Sequence, residues 1–247
     1  MSGPSLAPVQ HRSMPDAVAE QLESQILAGE LSAGRDLPGE RALAAALGVS
    51  RPTVREALRK LQHRGLVAIR QGGATTVRDF RETAGLDLLP RLLTAGGELD
   101  LSLVRDIVEA RSAIAPQMAR AAAGRSGSPE EDDALLRAAA AIPAAEDPLT
   151  QQARSLAFWS DVVDRSGSLV YRLLYNGLRA AFEPGMAALA QVLAVEAGHP
   201  TAATDLARAI CVGDPDAAEA AADALLARGR SAVIDLIDHL DPPEEPQ

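Results

Sequence analysis

At 247 residues, with 47% hydrophobic and 23% charged side chains, the chain has the composition of a globular protein and the length for one large core or two small ones. No apolar run approaches the roughly 18 residues of a membrane helix, MSGPSLAPVQHRS lacks the charged-then-apolar layout of an export signal, and the lone Cys211 has no internal disulfide partner, so the reading is cytoplasmic with no membrane partner. The formal net charge of −10 disfavours nucleic acid for the chain as a whole, yet residues 1–80 carry ten cations against eight acids, which leaves 81–247 at −12. Between 41 and 78, eight cations face Glu56 alone, so a small basic module adjoins a larger acidic one.

Residues 1–13 read as a mobile tail. From 14 to 29, MPDAVAEQLESQILAG spaces Val18, Leu22 and Ile26 along one helical stripe, with Gly29 or Gly34 to end it. LPGERALAAALG places Pro38 before a second short helix that stops at Gly48. A third helix begins within VSRPTVREALRKL, where Ser50 caps it and Pro52 sits in the first turn, at which a missing N–H costs no hydrogen bond. Val54, Leu58 and Leu61 pin this helix to a core, and Arg51, Arg55 and Arg59 form an outward row. After Arg64-Gly65, LVAIR and TTVRD alternate at period two around QGGA, the pattern of a hairpin. Together these elements spell a winged helix-turn-helix over 14–80, in which the third helix enters the major groove and arginine bonds guanine bidentately or grips phosphate.

A linker and first helix follow over 81–100, then an Ala- and Leu-rich region from 101 to 241 and a short mobile tail at 242–247. Helical segments are predicted at 84–95, 101–125, 129–142, 147–165, 168–195, 200–213 and 215–240, separated by turn-forming stretches such as RSGSPE and GDP, which makes this part an all-α bundle. The overall class is mainly α. Five of the six aromatics, Phe158, Trp159, Tyr171, Tyr175 and Phe182, cluster on two successive segments, where they form either plain core or the wall of an apolar pocket. Arg111 sits on an apolar stripe with Val104, Ile107 and Ile114, a place where arginine finds an anion, either an internal carboxylate or the acidic group of a ligand. An enzyme with an accessory DNA-binding module is the alternative from another class. It is disfavoured because the only lysine, Lys60, lies in the DNA-reading helix, and because RSGS at 165–168 reads as a loop and not as a nucleophile elbow.

The stretch LPGERALAAALGVSRPTVREALRKLQHRGLV resembles the signature of the GntR superfamily of bacterial transcription regulators. The wing QGGATTVRDF, followed by RETAGLDLLPRLL, looks like the FadR-type, fatty-acyl-CoA-responsive branch. The resemblance implies a homodimer on palindromic double-stranded operator DNA. It places Arg41, Ser50, Arg51, Thr53 and Arg55 at the DNA, with Gln71, Gly72 and Gly73 as the wing tip in the minor groove; Gln71 replaces a histidine common in that branch. It also implies an effector cavity in the bundle. Arg111, Trp159, Tyr171, Tyr175, Asn176 and Cys211 are the candidate ligand residues, with Arg111 assigned to the ligand's acidic group and Cys211 equally explained as a buried small hydrophobe. Many relatives hold a metal there with one Asp and three His. The matching positions here are Ser155, Trp159, Ala203 and Leu225, so no metal or other cofactor is expected, and the effector implied is long-chain acyl-CoA, with another small carboxylate or a sugar acid as the alternative.

Overall fold

The computed structural model describes residues 13–70, 73–95 and 97–241, and the chain divides into two compact units between Glu98 and Leu99. The first unit contains α1 (Met14–Leu27), α2 (Glu40–Leu47), α3 (Arg51–His63), β1 (Val67–Ile69), β2 (Thr75–Val77), α4 (Phe80–Thr83) and α5 (Leu89–Leu92), the last preceded by a 3-10 turn at Leu86–Leu88. Gly48 ends α2 with φ +65°, and α3 starts where the Ser50 hydroxyl accepts from the Thr53 N–H at 3.3 Å. The buried face of α3, Val54, Ala57, Leu58 and Leu61, meets Val18, Leu22 and Ile26 of α1 in one core.

β1 and β2 pair antiparallel, with Val67 opposite Val77 and Ile69 opposite Thr75. The segment 34–37 lies along the other edge of β2, a pairing that the sequence reading left out. Gly34 N–H donates to Val77 O, Val77 N–H to Arg35 O and Leu37 N–H to Thr75 O, and the Thr76 hydroxyl reaches Asp36 at 2.6 Å. β2 is therefore bonded on both sides, which leaves fewer unsatisfied backbone groups on this small sheet.

The segment 84–95, assigned from sequence to the bundle's helices, belongs to the first unit. Leu88 is buried in the winged-helix core with Phe80, Ala84 and Leu92 packed beside it. It is also tied down electrostatically, since the buried carboxylate of Glu23 on α1 accepts from Arg64 at 2.7 Å and from Arg91 on α5.

The second unit contains α6 (Leu101–Ala123), α7 (Pro129–Ala141), α8 (Pro148–Ser166), α9 (Leu169–Phe182), α10 (Met186–Leu189), α11 (Ala194–Ala197), α12 (Ala202–Val212) and α13 (Pro215–Leu240). α6 packs along α13 and α8, α12 packs on α13, α6 and α7, and α7 also touches α8. Side chains cap five of these helices: Asp100, Ser128, Asp147, Ser168 and Asp214 accept from the N–H three residues on, and Glu131 completes a capping box with Ser128. His199 serves α12 in the same way, its Nδ1 accepting from Ala202 N–H at 3.1 Å.

One predicted helix is broken. Instead of a single element over 168–195, α9 stops at Phe182, a 3-10 turn covers Glu183–Gly185, and only the one-turn helices α10 and α11 follow. Pro184 and Gly185 account for this, the first because it lacks an N–H and clashes with the preceding turn, the second because it gives up helix stability. No helix among the described residues is long and apolar enough to cross a membrane.

Leu61 is fully buried at the centre of the first core, so Leu61→Ala is expected to cost about 2–5 kcal/mol. Arg59→Ala, on the exposed face of the same helix, is expected to stay within about 0.5 kcal/mol. Urea denaturation followed by circular dichroism checks both.

Candidate functional site

The row of arginines on α3 is outward, as its spacing requires: Arg51, Arg55 and Arg59 keep 60%, 49% and 65% of their side-chain surface exposed. It is not unpartnered. Glu40, at the start of α2, takes both arms of Arg55, Nε to Oε1 at 2.9 Å and Nη2 to Oε2 at 2.7 Å, and lies 4.0 Å from Arg51. The hydrogen bond from Arg55 holds Glu40 below its usual carboxylate range, and the same bond raises Arg55 further. Glu40 therefore fixes the Arg55 guanidinium across the helix-turn-helix.

Arg41 is exposed on α2 next to Glu40, and Thr53 sits half-buried with its hydroxyl 2.8 Å from that of Ser50. Gly73 follows β1, its N–H donating to Arg70 O at 3.0 Å, whereas Gln71 and Gly72 lie outside the described residues.

In the second unit, a cavity of about 90 Å³ lies among α6, α8, α9, α10 and α13. Each helix contributes a stripe at helical spacing: Ile107, Val108, Arg111, Ala115 and Met118 from α6; Gln152, Ser155, Leu156 and Trp159 from α8; and Tyr175, Leu178, Arg179 and Phe182 from α9. Leu189, Leu193 and Val233 complete the wall.

Of the six candidate ligand residues, this cavity brings together Arg111, Trp159 and Tyr175. It does not include the other three. Tyr171 is half-buried against the core, Asn176 is exposed, and Cys211 approaches Asp132 O at 3.7 Å. On α9, Tyr175, Leu178, Arg179 and Phe182 follow i, i+3, i+4, i+7; Asn176 falls off this stripe and Arg179 falls on it.

In this structure the Arg111 guanidinium grips an internal carboxylate, one of the two kinds of anion its place on the apolar stripe calls for. Nη1 donates to Glu196 Oε2 at 3.1 Å and Nη2 to Oε1, and Glu196 is only 2% exposed. Burial opposes the charge on Arg111, and the attraction and hydrogen bonds of Glu196 outweigh it, so the guanidinium pKa is raised. Glu196 stands on α11, one residue past the helix that the sequence predicts over 168–195, and nothing in the local pattern marks it as buried. Gly229, in the middle of α13, provides the space, since a Cβ there would stand 2.0 Å from Glu196 Oε2.

The other polar groups of the wall are mostly engaged. Tyr175 donates its hydroxyl to Leu156 O, and burial pushes its pKa up to about 12 despite three neighbouring arginines. Arg179 is bound to Glu183 at 2.7 Å, and the Gln152 amide donates to Leu193 O at 3.2 Å. Trp159 packs edge-on to Phe158 with centroids 6.1 Å apart, and its buried indole N–H has no partner among the described residues.

At the positions that the resemblance matches to metal ligands, Trp159, Ala203 and Leu225 are buried in one apolar cluster and Ser155 is buried on the cavity wall. Among the described residues, no group of three or more His, Cys, Asp or Glu side chains is placed to hold a metal ion.

A winged helix presenting arginines, followed by a separate helical domain, defines a two-domain DNA-binding protein in its general form. Residues 15–77 match the model of the bacterial regulatory proteins of the gntR family, and residues 106–228 match the FCD domain. The HTH-type transcriptional regulator Mce2R of Mycobacterium tuberculosis is 50% identical over 230 residues, which are 93% of this chain and 95% of that protein. The fatty acid metabolism regulator protein of Vibrio cholerae is 41% identical over 88 residues, 36% of this chain and 32% of that one. The solved structure of Lar, which controls expression of the Listeria monocytogenes agr system, covers 92% of this chain with all of its own length at a TM-score of 0.56 and 14% identity, a likeness of fold. The chain belongs to the GntR family of bacterial DNA-binding transcription regulators, with an FCD domain as its second unit.

Replacing Arg51 or Arg55 by Ala is expected to cost about 1–3 kcal/mol each in binding to an operator selected from random duplexes, measured by fluorescence anisotropy. Wild-type affinity in both variants would remove α3 from the interface. Prolonged chelation is expected to leave the melting temperature and operator affinity unchanged; a stoichiometric metal that survives dialysis, and whose removal lowers the melting temperature, would contradict that.

Proposed function

We propose that the FCD domain of this regulator is a lipid sensor. A long-chain acyl group, presented as acyl-CoA, enters the cavity and changes the affinity of a homodimer for a palindromic operator controlling fatty-acid metabolism. The observation that carries this reading is the wall itself: Ile107, Val108, Met118, Leu156, Leu178, Phe182, Leu189, Leu193 and Val233 offer a continuous apolar surface. A sugar acid brings several hydroxyls that each need a partner on burial, and here the Tyr175 hydroxyl and the Gln152 amide are already bonded within the protein. The names of the relatives agree in direction, the Vibrio protein being a regulator of fatty acid metabolism.

The size of the cavity adds a mechanism. Benzene occupies an engineered cavity of roughly 150 Å³, so about 90 Å³ holds only part of an acyl chain, and the chain has to move the walls to enter. The segment from Glu183 to Gly198, with its two one-turn helices, is the wall least supported by its own backbone bonds. A ligand that binds the opened form better than the closed one shifts the population toward it, and that differential affinity is the energy available to alter DNA binding. A second reading, a small carboxylate as effector, is favoured by the same volume together with the presence of Arg111.

Trp159 is the only tryptophan in the chain and lines the cavity, so its emission reports occupancy directly. Titration with palmitoyl-CoA is expected to change that emission saturably and, over the same concentrations, to change operator affinity by roughly 5- to 150-fold. A saturable response to short dicarboxylates or sugar acids, with none to palmitoyl-CoA, would transfer the assignment to the second reading.

A further inference from the structure

Arg111 lines the cavity, yet both arms of its guanidinium are held by Glu196, which does not line it. Three further features are built around that carboxylate. Gly229 lies buried inside the 26-residue helix α13, where glycine is destabilising relative to alanine, and a Cβ at that position would stand 2.0 Å from Glu196 Oε2 and 3.0 Å from its Cδ. Gln152 reaches across from α8 to hold Leu193 O, three residues before Glu196. The helix that carries Glu196, α11, is a single turn in the broken stretch after Pro184 and Gly185, whereas Arg111 and Gly229 sit on helices of 23 and 26 residues. Of the two partners, Glu196 is the one on a movable support.

We propose that Glu196 is an internal competitor for the effector's seat: its carboxylate occupies the position on Arg111 that the carboxylate of an acidic lipid takes, and Gly229 is the notch that lets it do so. The inference rests on the reading of this cavity as a lipid effector site and changes the form of the lipid: a free fatty acid carries the carboxylate that an acyl-CoA thioester lacks, and Glu196 is the group that must leave. Exchange of one carboxylate for another keeps the half-buried arginine neutralised throughout, which insertion of an extra anion beside Glu196 would not. A displaced Glu196 cannot stay buried without a partner, so it moves toward solvent and carries α11 with it, along with Leu193 of the cavity wall. Ligand entry and the closed form of the 183–198 segment then exclude one another.

The test compares wild type, E196Q and G229A by Trp159 emission on titration with palmitate and with its uncharged methyl ester, alongside hydrogen exchange of the amides at 194–198. E196Q keeps the size of the side chain and removes the competing charge, and it is expected to tighten palmitate binding by roughly 5- to 150-fold while leaving the ester unchanged. G229A keeps the charge and fills the notch; it is expected to shift palmitate affinity in the same direction and to speed exchange at 194–198 with no ligand present. Thermal melting identifies a variant that fails to fold, and the other variant then decides. Wild type that binds palmitate, with variants that bind it no more tightly, would overturn the inference and leave the effector site standing. Equal tightening for the ester would overturn it too, because charge would not be the cause. Wild type that binds neither palmitate, its ester nor palmitoyl-CoA would overturn the lipid reading itself, and the competitor with it.

Discussion

The second unit is organised around one ion pair that it cannot give up cheaply. A carboxylate only 2% exposed is tolerated because Arg111 meets it with two donors, and removing Arg111 would strand it inside protein. Other features of the bundle follow from that constraint. α13 accepts a glycine in its interior so that Glu196 has room, and the chain after α9 is broken into single turns that bring position 196 against α8 and α13. The same arginine lines the cavity, with α6 supplying both the charge and the apolar stripe beside it.

The first unit repeats the device in a more exposed form. Glu40 holds the Arg55 fork across two helices, while the buried Glu23 gathers Arg64 and Arg91 and so fastens the segment after the wing to α1 and α3. In each case one acid orients arginines that are distant in sequence. The basic character of the module is therefore less free than its charge count implies, since Arg55 already holds an anion.

The winged helix was legible from sequence because its signals are local: Gly48, Ser50 and Pro52 fix where α2 ends and α3 begins, and the period of Val54, Leu58 and Leu61 fixes the face of α3. Half of the candidate ligand residues were placed correctly on the cavity for the same reason, as Arg111, Trp159 and Tyr175 stand on regular helices. What was hidden depends on partners far apart in the chain. The pairing of 34–37 with β2 has no periodic signature, Glu40 lies one residue outside the charge window that begins at Arg41, and Glu196 reads as a solvated acid until Gly229 is placed beside it. The break at Pro184-Gly185 was a local signal, and the apolar run on either side of it outweighed the punctuation.

The capping residues of the bundle have a mechanical consequence. Asp100, Ser128, Asp147, Ser168 and Asp214 satisfy the first N–H groups of their helices from within each helix's own sequence, independently of which neighbour the helix packs against. Such helices keep their length and phase when the core between them is rearranged. Deformation concentrates instead where this stapling is missing, at α10 and α11, whose caps make no side-chain bond. The domain thus behaves as a set of stiff rods around one soft joint, and the softness lies next to the space a guest would fill.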